Sequence, residues 1–136
     1  MKIYLAATFS EQEVMQNVAQ RLKNQGHEIT STWIYGQWQP KVQNFYDFGK
    51  SMALKDLTDL ASSDLMILDL EKTSTTMGKM VEFGYAVARH IPVWTIGGTP
   101  EYLERHIFLR FADKHFEDFN ECLTYLTTGE KESKKE

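Results

Sequence analysis

Leu65-Met66-Ile67-Leu68-Asp69-Leu70, the polar loop Thr73-Ser74-Thr75-Thr76 and then Gly78-Lys79-Met80-Val81-Glu82-Phe83-Gly84-Tyr85-Ala86 together decide the fold. An apolar run, a hydroxyl-rich loop and the start of a helix form a strand–loop–helix corner of an α/β domain. Such a corner favours anions, because the first N–H groups of the helix have no partner within it. Glu82 is the one carboxylate of that helix and is expected in its first turn. Its neighbours Val81, Phe83, Tyr85, Ala86, Val87 and Ala88 leave almost no polar face, so the helix is expected to be largely buried. An unpaired carboxylate there is costly and calls for a reason.

Outward from this corner the pattern alternates strand and helix. Ile3 to Ala7 reads as a buried first strand. Ser10-Glu11-Gln12-Glu13 reads as a capping box, opening a helix with apolar positions Val14, Met15, Val18 and Leu22 that Gly26 ends. Glu28 to Ile34, rich in β-branched residues, reads as a second strand. It runs into an aromatic loop with Trp33, Tyr35, Gly36, Trp38 and Pro40. A helix from Asn44 to Ala61, the Leu65–Leu70 strand, the Glu82 helix to His90 and a strand from Pro92 to Ile96 follow. Gly97-Gly98-Thr99-Pro100 reads as a turn. A fifth strand is expected near Lys114 to Phe116, and a closing helix over Phe119, Cys122, Leu123 and Leu126. The pattern predicts a single-domain, doubly wound, flavodoxin- or Rossmann-like α/β sandwich around a mostly parallel five-stranded sheet. Residues 1–128 form the domain and residues 129–136 a charged, disordered tail. Ligands of such sheets bind beyond the carboxyl ends of the strands. Here that edge receives the loops at Thr8-Phe9-Ser10, Trp33 to Pro40, Leu70 to Gly78 and Gly97 to Pro100.

The 136 residues fit one domain, and 42% hydrophobic with 12% aromatic residues suffice for a core. A net charge of −4 leaves no global basic footprint, which argues against a nucleic-acid polymer as partner but not against a single nucleotide. Cys122 is the only cysteine and has no internal disulfide partner. The four histidines show no metal-ligand spacing, so no metal is expected. The opening Met1 to Thr8 is too short and too soon interrupted for a signal peptide, and no apolar run reaches membrane-spanning length. A cytoplasmic protein without a membrane partner is the expectation.

The Asn44–Ala61 helix carries a second misplaced acid. At 100° per residue Phe45, Phe48, Gly49, Met52, Ala53 and Leu60 share one sector, with Asp56 at its centre and Lys50 and Lys55 elsewhere. Each acid alone has a plain reading: Asp56 held by backbone donors or a hydroxyl, Glu82 favoured by the helix dipole. Together they suit glycosidic chemistry, in which one carboxylate attacks the sugar carbon and the other assists the leaving group or positions the substrate. Asp69 ends the third strand on the side of the proposed site; Asp64, at the opposite end, reads as a turn or capping acid. Tyr4 lies in the first strand, where a buried hydroxyl needs a partner that a carboxylate could supply. Trp33 and the aromatic loop form either surface core or a stacking wall for a base. The hydroxyls of Thr8, Ser10, Thr75 and Thr76, with Gly78 at the helix start, either hold a phosphate or cap helices. The histidines read as structural and Cys122 as a small core residue.

Three pieces, in order, resemble the nucleoside 2-deoxyribosyltransferase superfamily, which includes the deoxyribonucleoside 5′-monophosphate N-hydrolases. They are Ile3-Tyr4-Leu5-Ala6-Ala7, Lys55-Asp56-Leu57-Thr58-Asp59-Leu60-Ala61-Ser62-Ser63-Asp64, and Gly78 to Ala86. The resemblance implies a Tyr4 that contacts the nucleophile, a catalytic Asp56 and a Glu82 that attacks C1′. It places Thr76 where the hydrolases put a hydroxyl against a 5′-phosphate. The first loop departs from theirs in lacking an arginine, and the charged tail does not resemble the C-terminus with which transferases complete a neighbour's site. The implied function is cleavage or transfer at the N-glycosidic bond of a 2′-deoxyribonucleoside or its 5′-monophosphate, through a covalent deoxyribosyl-Glu82 and with no cofactor. Three alternatives stand beside it: a non-catalytic nucleotide-binding or sensing domain, a glycohydrolase acting on NAD, and a flavodoxin-like interaction module. The aromatic excess of Trp33, Tyr35, Trp38, Phe45, Tyr46 and Phe48 also predicts a homodimer, with the contact on the helices at residues 44–61 or 78–90.

Overall fold

Leu65–Asp69 (β3) is buried at all five positions, as a central strand covered on both faces must be. In the computed structural model, which describes residues 1–37, 44–72 and 77–129, it lies in the middle of a five-stranded, wholly parallel sheet. The order is β2-β1-β3-β4-β5, with β1 at Lys2–Ala6, β2 at Glu28–Ile29, β4 at Val93–Ile96 and β5 at Lys114–Phe116. The helices are α1 (Gln12–Asn24), α2 (Phe45–Ala61), α3 (Gly78–Ala88), α4 (Pro100–Arg105) and α5 (Phe119–Thr128). Register pairs Tyr4 with Met66 and Ala6 with Leu68. The direction of winding reverses between β1 and β3, which opens a crevice at their carboxyl ends.

Alternation along the strands sorts the core into two layers. Ile3, Leu5, Ile67, Ile96 and Phe116 pack with Met15, Val18 and Leu22 of α1 and with Cys122 and Leu123 of α5. Tyr4, Ala6, Met66 and Leu68 face the other way, onto Leu60 of α2 and Phe83 and Ala86 of α3. Parity therefore sends Tyr4 to the side of the sheet that carries both acid-bearing helices. Among the described residues no helix is long and apolar enough to cross a membrane.

Several expectations are corrected. The capping box at Ser10–Glu13 does not form: a 3-10 turn over Phe9–Glu11 precedes α1, Glu11 takes the cap position without a side-chain bond, and its carboxylate lies 2.8 Å from Lys72 Nζ. The second strand stops at Ile29 instead of reaching Ile34. Ser31 Oγ accepts from Leu5 N (3.0 Å), and Thr32 N–H and hydroxyl donate to Asp59 Oδ2 (3.2 and 2.6 Å). These side-chain bonds draw the chain off the sheet into a 3-10 turn at Thr32–Tyr35. Glu82 lies one turn further into α3 than expected, since the helix begins at Gly78 and has no acid in its first turn. Nor is α3 buried all round: Val81 is 66% exposed and Met77 60%, because no described element covers that flank. Pro100 opens α4 rather than closing a turn. Trp38, Pro40, Thr75, Thr76 and residues 130–136 of the expected tail lie outside the described residues, as does the side chain of Phe45.

Candidate active site

At the carboxyl ends of β1 and β3 a cavity of about 130 Å³ is lined by Thr8, Trp33, Asp56, Gly78, Lys79 and Glu82, among others. A second hollow of about 220 Å³ adjoins it and shares Phe9, Trp33, Met52 and Asp56. Asp56 thus stands where the two meet. A larger apolar groove, about 540 Å³, lies on the outer flank of α3 between Met77, Val87, Phe108 and Phe111 and contains neither acid.

The electrostatics of the smaller cavity are unusual. Burial pushes the Glu82 carboxyl up to about 7; the Tyr4 hydroxyl opposes the rise and the Asp56 charge adds to it. Asp56 is raised to about 6, first by burial, then by Asp59, against the pull of Lys55. Tyr4 is raised well above the ordinary phenol range by burial and by the charges of Glu82 and Asp56. Tyr4 Oη and Glu82 Oε2 are buried, and neither has a partner in hydrogen-bonding geometry among the described residues. Glu82 lines the cavity, where a bound polar ligand can reach its carboxylate, while Tyr4 lies behind it, fully buried and close enough to oppose the rise of the Glu82 carboxyl.

Trp33 is fixed by its indole N–H, which donates to Leu5 O at 2.6 Å, and its ring lies 6.3 Å from that of Phe9. Thr8 lines the cavity, but its one hydroxyl proton is directed to Lys72 O at 3.2 Å. Ser10 is exposed and does not line the cavity. Asp69 is 4% exposed and is turned into its own loop, where Oδ1 accepts from Glu71 N at 2.8 Å; burial raises its carboxyl, with Glu71 N–H and Lys79 opposing. It does not line the cavity either. Asp64 caps the far end of β1 by accepting from Lys2 N at 2.8 Å. Cys122 is buried in the core, and burial pushes its thiol up to about 12. Among the described residues no group of three or more His, Cys, Asp or Glu side chains could hold a metal ion.

Of the residues singled out from sequence, the structure gathers Tyr4, Thr8, Trp33, Asp56, Gly78 and Glu82 and leaves Ser10 and Asp69 aside. It adds Phe9, Met52 and Lys79. Met52 had a legible signal, one turn before Asp56 on the same sector. Lys79 did not, because a lysine beside a helix start reads as a solvated charge.

Residues 3–124 match the family model described as nucleoside 2-deoxyribosyltransferase. The chain belongs to that family. No curated protein matches the sequence. Among solved structures, the 2-deoxyribosyltransferase of Bacillus psychrosaccharolyticus superposes with a TM-score of 0.73 at 23% identity, over 92% of each chain. A CMP N-glycosidase of Clostridium botulinum gives a TM-score of 0.59 at 20% identity, over 93% of this chain and 98% of its own. A conserved protein of Enterococcus faecalis V583 gives 0.68 at 16% identity, over 96% and 99%. At these identities the superpositions establish the shared fold. Membership of the deoxyribosyltransferase family supports an enzyme of nucleoside deoxyribosyl transfer or N-glycosidic cleavage.

Proposed function

We propose that this family member cleaves or transfers at the N-glycosidic bond of a 2′-deoxyribonucleoside or its 5′-monophosphate, with Glu82 as nucleophile. The observation that carries this reading is the buried meeting of Tyr4, Glu82 and Asp56, with the Tyr4 hydroxyl beside Glu82 and the Glu82 carboxylate on the cavity wall. A Glu82 oxygen attacks C1′ as the C1′–N bond breaks and its electron pair leaves with the base. Asp56, raised to about 6, supplies the proton to that base. Water or a second base then attacks C1′ and releases Glu82, giving up its proton to the Asp56 carboxylate, with net retention. Tyr4 steadies the nucleophile from β1. Trp33, with Phe9, offers the base a face in the adjoining hollow.

The sugar's 5′ side falls to the wall at Thr8 and Gly78, with Ser10 and Asp69 outside the immediate contacts; Thr75 and Thr76 enter as phosphate-side hydroxyls on their place in the sequence alone. The Thr8 hydroxyl has already given its proton to Lys72 O, so a 5′-phosphate would rest on backbone N–H groups at the start of α3. A nucleotide-compatible pocket is the reading we favour, in a homodimer acting in the cytoplasm.

Base release from matched deoxynucleosides and deoxynucleoside 5′-monophosphates, with NAD as a third donor, tests the activity and the preference. A 2-fluoro-2-deoxy donor should leave one adduct on Glu82 by intact mass. Glu82→Ala should lose at least about a hundredfold in turnover. An active Glu82→Ala variant would overturn the assignment.

A further inference from the structure

Lys79 has no part in the steps above, yet it is 7% exposed on the cavity wall, one turn from Glu82 on α3. A buried ammonium needs acceptors for its protons. Nζ donates to Asp69 O at 3.0 Å and to Lys72 O, and reaches Thr8 Oγ1 at 3.5 Å. Thr8 in turn donates to the same Lys72 O. Three segments therefore converge on one cation: the exit of β1, the exit of β3 and the first turn of α3. Lys72 carries the tie onward through its own ammonium, 2.8 Å from Glu11 ahead of α1. With its three protons so directed among the described residues, Lys79 serves as a clamp and not as an anion-binding side chain.

We propose that Lys79 is a positioning residue of this site: it holds the loops leaving β1 and β3 against α3 and so fixes the cavity wall beside Glu82. The effect on turnover rests on the N-glycosidic reading of the cavity. A wall that shifts by a fraction of an ångström misplaces C1′ relative to Glu82, and catalysis is steeply sensitive to such a shift.

The test is Lys79→Met, which keeps the apolar stem and removes the donors, with Thr8→Val as a milder cut in the same hub. Expected are a fall in kcat of at least about tenfold for Lys79→Met with a smaller change in KM, and a lesser fall for Thr8→Val. The double variant should lose less than the product of the two single losses, as coupled residues do. Amide hydrogen exchange should quicken at residues 7–9 and 69–72 ahead of the rest of the chain. Unchanged kcat in both variants, measured well below their melting temperatures, would overturn the proposal, as would exchange that quickens uniformly or not at all. If Lys79→Met does not fold, Thr8→Val decides by the same two measurements. If the wild-type protein releases base from no donor, the N-glycosidic reading fails, and the exchange pattern alone decides whether the clamp exists.

Discussion

Glu82 and Asp56 lose their protons close together, near 7 and near 6, from one cavity. Interacting carboxylates titrate as a pair, so between those values the pair holds one proton, mostly on Glu82. The reactive form is the minor one, with Glu82 ionised to attack and the proton on Asp56, and its population peaks in the same window. We expect kcat/KM to trace a narrow bell with its maximum between pH 6 and 7, and Asp56→Asn to abolish one limb. The same shifts carry a stability consequence. Glu82 binds its proton more tightly folded than unfolded, so its contribution is full below the unfolded pKa, near 4.5, and is lost as pH rises through about 7. Glu82→Gln removes that loss. Its stability relative to wild type should rise across this window, by about 3 kcal/mol between pH 4.5 and pH 8. Thermal melts at pH 4.5 and pH 8 would show it; equal differences at both would mean that Glu82 is not buried as described.

The turn after β4 shows a backbone requirement that a side chain cannot meet. Gly97 has φ 71°, its N–H donates to Phe116 O at 2.9 Å, and an added Cβ would fall on the Glu71 carboxylate. Glu71 is flexible and can move aside; the left-handed backbone cannot relax without breaking the tie to β5. Gly97→Ala should cost about 1–2 kcal/mol. Gly97→Asn should cost less, since asparagine tolerates this region. Melting temperatures of the two variants check the order. The sheet itself was legible because β1, β3 and β4 are short apolar runs set between helical periodicities, and the core helices likewise. What was not legible depended on partners far along the chain. The early end of β2 follows from Ser31 and Thr32 finding Leu5 and Asp59. The failed capping box follows from Glu11 finding Lys72. In the site, the acids betrayed themselves by sitting on apolar stripes. Lys79 is recognisable only when the carbonyls it holds are seen.

The whole molecule leaves one apolar face without a cover. Met77, Phe108 and Phe111, which line the groove on the outer flank of α3, and Val81 on the same helix are each more than half exposed. Patches of this kind mark association surfaces. We expect the homodimer contact here, on the helix that carries Glu82. Val81→Glu should shift the mass seen by light scattering at micromolar protein from dimer to monomer, and a wild-type monomer under those conditions would contradict the dimer. The strand order β2-β1-β3-β4-β5 bears on synthesis as well. β1 leaves the ribosome first, but its first substantial neighbour is β3, since β2 offers only two residues. Tyr4, Asp56 and Glu82 therefore remain strangers on a nascent chain until the stretch beyond α3 has emerged. Half-made chains lack the assembled cavity, and on refolding from denaturant the proposed base release should return in the same kinetic phase as the sheet.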